Sequence, residues 1–119
     1  MRYVMLIYHD ETVVAQMSEA EQQADMADWF AYDNELRQSG KYLAGDALLP
    51  TPSATTVRGQ GGQTLTVDGP FAETKEQLGG YYVVEAADLD DAIAWAGRMP
   101  HVPRGGAVEV RPVMEFDTQ

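Results

Sequence analysis

The segment Tyr3–Tyr8 (YVMLIY) constrains the fold most, because it is apolar at every position. Neighbouring side chains of a strand point to opposite faces of a sheet, so alternate residues form two faces. Both faces are apolar: Tyr3, Met5 and Ile7 on one, and Val4, Leu6 and Tyr8 on the other. Such a pattern is typical of a strand that is buried on both sides. We therefore expect a central strand in a sheet that is covered from two directions.

Two helices are predicted farther along the chain. Ser18, with Glu21 three residues later, has the pattern of a capping box, and the helix is expected to run to about Ser39 and stop at Gly40. Helical spacing assigns its inner stripe to Ala20, Ala24, Ala27, Phe30 or Ala31, and Asn34. The second helix begins at a capping Asp88, and its inner face is assigned to Leu89, Ala92, Ile93 and Ala96.

The other segments are predicted to be strands and turns. Residues His9–Gln16 are expected to form a loop, and Gly59–Gln63 a glycine-rich hairpin turn. The further strands are Tyr42–Leu49, Ala54–Arg58, Thr64–Asp68, Tyr81–Glu85 and Ala107–Val113. The order is β-α-β, an inserted hairpin and a second β-α-β, in a single domain that spans residues 1–119.

This order is typical of an α+β, ferredoxin-like subunit with the split βαβ pattern. Two helices then cover one face of a four-stranded sheet and leave the other face open. Because Tyr3–Tyr8 and Tyr81–Val84 are apolar on both sides, the second face also needs a cover. The simplest cover is the same face of a second copy, which predicts an isologous homodimer.

The segment Val67–Tyr81 (VDGPFAETKEQLGGY) is the most informative motif of the chain. The turn at Asp68–Pro70 must bend the backbone, since Gly permits positive φ and Pro fixes φ and lacks an N–H donor. Phe71 follows as an apolar anchor, and Gly79–Gly80 is expected to release the chain into the next strand. A polar loop held at both ends by turn residues favours a binding edge, and a well-specified crossover between strands is the alternative.

The run Asp68–Glu76 (DGPFAETKE) resembles the signature of the DGPF-type branch of the YCII-related proteins. The resemblance covers nearly the whole chain through three weaker segments: Met1–Tyr8, Gly40–Leu48 and Gly106–Val113. It implies a ferredoxin-like subunit that pairs into a dimeric α+β barrel. Some of the proteins it resembles are encoded beside, or fused to, extracytoplasmic-function sigma factors, which implies a sigma-factor partner for this chain.

Other YCII-related proteins have been proposed to be enzymes because they carry a His/Asp pair in a cleft. Their His lies on the first helix, about where this chain has Trp29. The resemblance therefore does not carry that chemistry to this chain, and it implies no settled reaction.

Composition excludes several classes of function. Eight basic and nineteen acidic residues give a formal net charge of −11, which repels phosphate backbones and anionic lipids. Neither nucleic acid nor a membrane is an expected partner. The chain has no cysteine, which excludes disulfides and thiolate chemistry and fits a cytoplasmic location. The opening apolar run is too short for a signal peptide. We expect no metal and no cofactor, because the sequence contains no nucleotide fingerprint, redox motif or metal signature.

Three residues are candidates for catalysis: Asp68, Lys75 and His101. Asp68 and Lys75, together with Glu73 and Glu76, can supply an acid/base pair or a clamp for a charged ligand. The alternative is that they cap the local turn and pair with one another at the surface. His101 precedes the final strand, where a cleft can open, and the favoured alternative is an ordinary surface histidine.

A second histidine opens the cluster His9-Asp10-Glu11. Adjacent side chains in an extended segment alternate in direction and rarely converge on one ion. We interpret the cluster as an exposed polar loop.

Four residues are candidates for ligand binding: Asp46, Phe71, Tyr81 and Arg111. Arg111 shares a strand face with Glu109, and it would hold an anionic group if that face lines a dimer cavity; a salt bridge is the alternative. Asp46 is unusual in mid-strand and marks either the same cavity or a strand edge or bulge. Phe71 and Tyr81 are candidate aromatic walls, with sheet packing as the alternative for Tyr81.

Two functions from different classes fit these features. The first is a homodimer that binds a small molecule in a sheet-lined cleft, with an enzymatic reaction that the sequence does not fix. The second is a non-catalytic interaction or regulatory module associated with a sigma factor, which would use the Gly69–Gln77 loop or the acidic first helix. A concave pocket with convergent polar groups indicates the first, and an exposed apolar patch without a pocket indicates the second.

Overall fold

The computed structural model describes residues 1–116. Within this range the strands are Arg2–His9 (β1), Tyr42–Ala47 (β2), Thr55–Gln60 (β3), Gln63–Asp68 (β4), Gln77–Glu85 (β5) and Ala107–Pro112 (β6). The α-helices are Glu11–Ala15 (α1), Glu19–Gln38 (α2) and Leu89–Gly97 (α3). Short 3₁₀ turns are formed by Thr51–Ser53 and Val102–Arg104.

Four of the strands form an antiparallel sheet in the order β2-β5-β1-β6, and β3 pairs with β4 in a separate hairpin. The central strand β1 pairs with β5 and β6, so Leu6 lies opposite both Tyr81 and Glu109. Helices α2 and α3 pack on one face of this sheet. The predicted ferredoxin-like α+β fold with an inserted hairpin is confirmed.

The core lies between the sheet and these two helices. On β1, Tyr3, Met5 and Ile7 are buried, whereas the residues between them are only half-buried. The helices contribute four buried residues, Tyr32, Leu36, Ala92 and Ala96. Leu36 is fully buried, and burial of a side chain of this size stabilises the fold by about 1.5–3 kcal/mol.

The start of α2 agrees with the prediction, but its inner face does not. Ser18 Oγ accepts a hydrogen bond from the Glu21 N–H at 3.1 Å, and Glu21 Oε1 accepts one from the Ser18 N–H at 3.0 Å, so the capping box is confirmed. The predicted stripe was wrong, because all of its members are exposed: Ala20, Ala24, Ala27, Phe30, Ala31 and Asn34. The helix instead turns its larger residues inward: Asp25, Trp29, Tyr32, Asp33 and Leu36. Large side chains bury more apolar area than alanine does, and this sets the rotation of the helix.

The inner face of α3 was predicted in part. Ala92 and Ala96 are buried as expected, whereas Leu89 and Ile93 are 47% and 50% exposed. Asp88 caps this helix by accepting a hydrogen bond from the Asp91 N–H at 2.8 Å, as predicted.

Residues 11–15 form α1, although a loop was predicted for this stretch. The Asp10 carboxylate caps the helix by accepting hydrogen bonds from the Thr12 N–H at 2.9 Å and the Thr12 hydroxyl at 2.6 Å. The Glu11 carboxylate accepts hydrogen bonds from the N–H and hydroxyl of Thr51, at 2.8 and 2.7 Å. A helix of five residues is not stable by itself, so tertiary contacts of this kind hold it.

Several strand ends also differ from the prediction. β5 begins at Gln77, so Gly79 and Gly80 lie inside the strand and do not precede it. β2 ends at Ala47, two residues before the predicted end. The hairpin strands extend to Gln60 and Gln63, because Gly61 and Gly62 turn the chain with φ values of 59° and 78°.

The sheet face away from the helices, which we call the open face, is not covered by any part of residues 1–116. Its central residues are half-buried: Val4, Leu6, Tyr8, Tyr81 and Val83. The molecule measures 51 × 47 × 18 Å, and its radius of gyration is 16.4 Å. A compact domain of this length has a radius of gyration of about 13.5 Å. The excess reflects the β3–β4 hairpin, residues 55–68, which we call the arm.

Among the helices of residues 1–116, none combines the length and apolar character needed to cross a membrane.

Candidate functional site

A cavity of about 960 Å³ lies on the helix side of the sheet, between α1, α2 and the ends of several strands. Its floor includes three glycines of the sheet, Gly45, Gly79 and Gly80. The rings of Tyr82 and His9 pack closely over Gly45 and Gly79, where a Cβ would collide with them. The cavity widens toward the turn that follows α3, where His101 and Arg104 line it.

The walls of the cavity are mostly apolar. Helices α1 and α2 contribute Val13, Val14, Met26, Trp29 and Phe30, and the segment after β2 contributes Leu48. Phe30 is 68% exposed and Met26 is 58% exposed, although both lie on the helix that packs against the core. Contiguous apolar surface that remains exposed in this way is typical of a binding site.

His9, at the end of β1, is held against the backbone of β5. The pairing of these strands shifts register between Ile7 and Tyr8, and Gly79 is the residue left without a partner. A Cβ at Gly79 would lie 2.9 Å from His9 Nδ1, so only glycine leaves space for the imidazole. A bulge of this kind redirects neighbouring side chains, and here it accompanies a histidine at the cavity.

His101, in the turn after α3, is buried, with 7% of its surface exposed. Its ring packs against Gly106, where a Cβ would lie 2.8 Å from His101 Cγ, and against Trp29, whose ring centroid is 5.3 Å away. The favoured sequence interpretation, an ordinary surface histidine, was wrong. The neighbours that bury the ring come from distant parts of the chain, and no local pattern reveals them.

The hydrogen bonds of His101 fix its tautomer. Nε2 lies 3.0 Å from the carbonyl oxygen of Ala107, and because a carbonyl can only accept, Nε2 carries the proton. Burial lowers the pKa of the His101 imidazole below its ordinary value, with a smaller contribution of the same sign from His9. The ring is therefore neutral near pH 7, and its buried Nδ1 is an acceptor that receives no hydrogen bond from residues 1–116.

Charged side chains surround the mouth of the cavity. The hydrogen bonds from Thr12 lower the pKa of the Asp10 carboxyl, and the nearby Lys75 ammonium lowers it further. Lys75 and Glu76 lie on the exposed segment before β5 and also line the cavity. Arg104 is neutralised by ion pairs with Asp25 and with Asp28, the latter at 2.9 Å.

Below the mouth, Asp33 of α2 ties the helix to the sheet. Its Oδ1 accepts a hydrogen bond from the Tyr82 hydroxyl at 2.8 Å, and its Oδ2 accepts one from Arg37 Nε at 2.7 Å. Burial, and then the hydrogen bond to Asp33, raise the pKa of the Tyr82 hydroxyl, so it stays protonated. This network fixes one wall of the cavity.

Of the residues singled out by sequence as catalytic candidates, the structure brings Lys75 and His101 to the cavity. Asp68 does not reach it and lies exposed at the end of β4. The alternative interpretation of Lys75, a surface ion pair with Glu73 or Glu76, is not realised among residues 1–116.

The side chains of the four ligand-binding candidates lie outside the cavity, three on the open face and one at the base of the arm. Asp46 and Tyr81 border the cavity, but their side chains lie on the open face, where the Tyr81 hydroxyl donates to Asp46 Oδ2 at 2.7 Å. That hydrogen bond raises the pKa of the Tyr81 hydroxyl. Arg111 lies on the same face, with its Nε 3.7 Å from Glu109 Oε2. Phe71 is 75% exposed at the base of the arm, where its ring centroid is 5.0 Å from the Arg58 guanidinium carbon.

His9 was interpreted from the sequence as part of an exposed polar loop, whereas it is half-buried and lines the cavity. The signal that could have found it is Gly79-Gly80 inside an aromatic strand, because glycine within a strand marks a bulge or a close approach. In residues 1–116, no cluster of three or more His, Cys, Asp or Glu side chains could hold a metal ion.

Two comparisons with known proteins cover nearly the whole chain. A family model described as the YCII-related domain matches residues 1–117. A protein of Rhizobium meliloti (strain 1021), itself described as uncharacterized, is 40% identical over 114 residues. The alignment covers 95% of this chain and 92% of that relative. Both matches therefore include the cavity.

Proposed function

This chain belongs to the YCII-related family, and we propose that it binds a small organic molecule in the cavity between α1, α2 and the sheet. The cavity itself is the observation that carries the proposal. Its volume of about 960 Å³ falls in the range of small-molecule sites, and such sites combine apolar walls with a few polar groups. Here the walls come from α1 and α2, and the polar groups are His9, His101 and the charged mouth.

The orphan acceptor of His101 supports the same proposal. A buried polar atom without a partner costs about 1–3 kcal/mol, so where the protein supplies no donor such an atom is normally satisfied by an ordered water or a ligand. His101 Nδ1 is such an atom, in a residue that lines the cavity. A ligand that donates a hydrogen bond supplies the missing partner.

Cavity-filling tests the proposal directly. Ala47 lines the cavity and is exposed, so Ala47→Trp places an indole in the cavity. Ala27 is exposed on the outer side of α2, and Ala27→Trp is the matched control. A neutral fluorescent probe, N-phenyl-1-naphthylamine, is titrated into each protein. We expect saturable binding to the wild type and the control and at least tenfold weaker binding to Ala47→Trp; equal binding to all three would refute the site.

We further propose that the protein is a homodimer in which the open faces of two sheets meet and enclose a barrel. The subunit is only 18 Å thick, which corresponds to one helix layer and one sheet layer. The second side of the sheet is apolar along β1 and the middle of β5, but residues 1–116 supply no third layer to cover it. An isologous pairing covers this face on both copies at once.

Charge placed in the centre of the open face tests the dimer. Leu6 is half-buried there, opposite Tyr81 and Glu109. We expect Leu6→Asp to be monomeric by light scattering at micromolar concentration, while the control Ile93→Asp, on the outer side of α3, remains dimeric. A monomeric wild type would contradict the proposal.

A second candidate function rests on the arm. It exposes Val57 by 65%, Val67 by 52% and, at its base, Phe71 by 75%. A two-stranded hairpin with apolar side chains and no support is marginally stable, which favours a docking role. Phe71 belongs to the Asp-Gly-Pro-Phe run, and the resemblance of this run to the DGPF signature is the basis on which we propose that branch for the chain. A sigma factor is the partner class proposed on this resemblance, and a cytoplasmic location fits both the partner and the absence of cysteine.

Pull-down with the purified partner separates the two candidates. Loss of sigma-factor binding in Phe71→Ser, with probe binding intact, would assign the arm to the partner. Sigma-factor binding that is absent from the wild type would remove this candidate.

A further inference from the structure

We propose that the cavity selects an organic cation, a protonated amine on an apolar body. This inference rests on the proposed small-molecule function and names the class of its ligand. It combines three independent features of the site: the sign of the charge at the mouth, the unpartnered acceptor of His101, and the aromatic and apolar walls.

Carboxylates outnumber cations around the cavity. Among its lining residues, the carboxylates on the helix side are Asp10, Asp25, Asp33 and Glu76, and the cations are Lys75 and Arg104. Arg104 is shared by two carboxylates, Asp25 and Asp28, so this group keeps a negative charge. Asp33 is paired with Arg37.

Two carboxylates at the mouth are left for a ligand. Asp10 and Glu76 form no ion pair with any residue in the range 1–116, and both line the cavity. Lys75 offsets one of them. A cation that enters therefore meets net negative charge, while an anion meets repulsion.

The acceptor atom of His101, Nδ1, also favours a cationic ligand. The neutral ring has its proton on Nε2, so Nδ1 offers a lone pair and cannot donate. A carboxylate group has no proton to donate to Nδ1 near pH 7. An ammonium group has three N–H donors and can satisfy it.

The walls fit a cation with an apolar body. Phe30 and Trp29 present aromatic rings to the cavity, and ring faces attract ammonium groups. The remaining wall, Val13, Val14 and Met26, offers apolar contact to the body of the ligand. The net charge of −11 on the whole chain also draws cations toward the protein and speeds their association.

A matched series of three probes isolates the effect of charge. The probes are 4-tert-butylbenzylamine, 4-tert-butylbenzyl alcohol and 4-tert-butylbenzoate, which share one apolar body and are respectively cationic, neutral and anionic near pH 7. Dissociation constants are measured by calorimetry with the full chain at low and high salt. We expect the amine to bind best and the benzoate worst, with about tenfold or more between them, and the amine affinity to fall with salt.

Charge-neutral variants assign the effect to the mouth. Asp10→Asn keeps a side chain that caps α1 well, and Glu76 has no hydrogen-bonded side-chain partner to lose among residues 1–116. The double variant D10N/E76Q is expected to weaken amine binding about fivefold to tenfold and to leave the alcohol within twofold. The control E19Q/D90N removes the same total charge from exposed positions outside the cavity. It is expected to change amine binding by less than twofold.

The outcomes distinguish failure of the cation proposal from failure of the proposed small-molecule site. Alcohol or benzoate affinity equal to that of the amine would overturn the cation proposal and leave the small-molecule site standing. Equal effects of the double variant and the control would overturn the assignment to the mouth, and with it the proposal. Absence of binding by all three probes up to millimolar concentration would overturn the cation proposal together with the proposed function.

Discussion

Removal of the His101 imidazole should flatten the dependence of stability on pH near neutrality. The ring has an ordinary pKa of 6.5, and burial lowers it in the folded state, so the folded protein favours the neutral form. A group with a lowered folded pKa contributes stability that is present above the unfolded pKa and lost as pH falls from there through the folded pKa. At pH 5.5, one unit below the ordinary value, an unfolded imidazole is protonated about ten to one. The loss relative to high pH is therefore at most about 1.4 kcal/mol.

Urea unfolding at pH 8 and pH 5.5 measures this term, with His101→Gln compared with the wild type. Glutamine does not titrate, and its amide can donate to the Ala107 carbonyl in place of Nε2. We expect the wild type to lose up to about 1.4 kcal/mol more than the variant between the two pH values, with the same m-value. His9→Gln is the control for removal of a histidine at the cavity. Equal pH dependence in wild type and His101→Gln, or the same change in both variants, would refute the reasoning.

Three further predictions follow from the same geometry. Gly79→Ala places a Cβ 2.9 Å from His9 Nδ1 and should destabilise the fold by about 1–3 kcal/mol; an unchanged melting temperature would contradict it. Tyr82→Phe removes a 2.8 Å hydrogen bond to the Asp33 carboxylate and should cost about 1.5 kcal/mol in urea unfolding, and a loss below about 0.5 kcal/mol would count against the network. Lys75→Gln removes a cation from the mouth and should tighten binding of 4-tert-butylbenzylamine severalfold in calorimetry; weaker binding would argue against the assigned sign of the charge.

The parts of the fold that were predictable depend on short-range rules. The capping box at Ser18 involves atoms three residues apart, and the Asp88 cap is equally local. The order of strands and helices follows from alternation and spacing, and it suffices for the ferredoxin-like pattern. Helix α1 was not predicted because five residues are too few to show a helical hydrophobic periodicity, although its capping residue Asp10 can be recognised in the sequence.

The parts that were not predictable depend on contacts between distant segments. The rotation of α2 depends on which side chains fill the space above the sheet. Trp29 and Tyr32 face the sheet because they bury more apolar area than the alanines, which are exposed. The burial of His101 comes from Trp29, on α2, and from Gly106, five residues along the chain. Lys75 and His101 were singled out from the sequence and both line the cavity, but no sequence rule brings them to the same cavity as His9.

The open face and the cavity lie on opposite sides of the sheet because side chains alternate in direction along a β-strand. Because side chains alternate along β1, burial of Tyr3, Met5 and Ile7 on the helix side means that the residues between them face the open side. The open face therefore cannot contribute its side chains to the cavity, and Tyr81, Asp46 and Arg111 are directed away from His9 and His101. The bulge at Gly79 lies where this alternation is interrupted, at the end of the sheet where the cavity begins. Pairing through the open face can thus leave the cavity accessible, because the sheet itself separates the two surfaces.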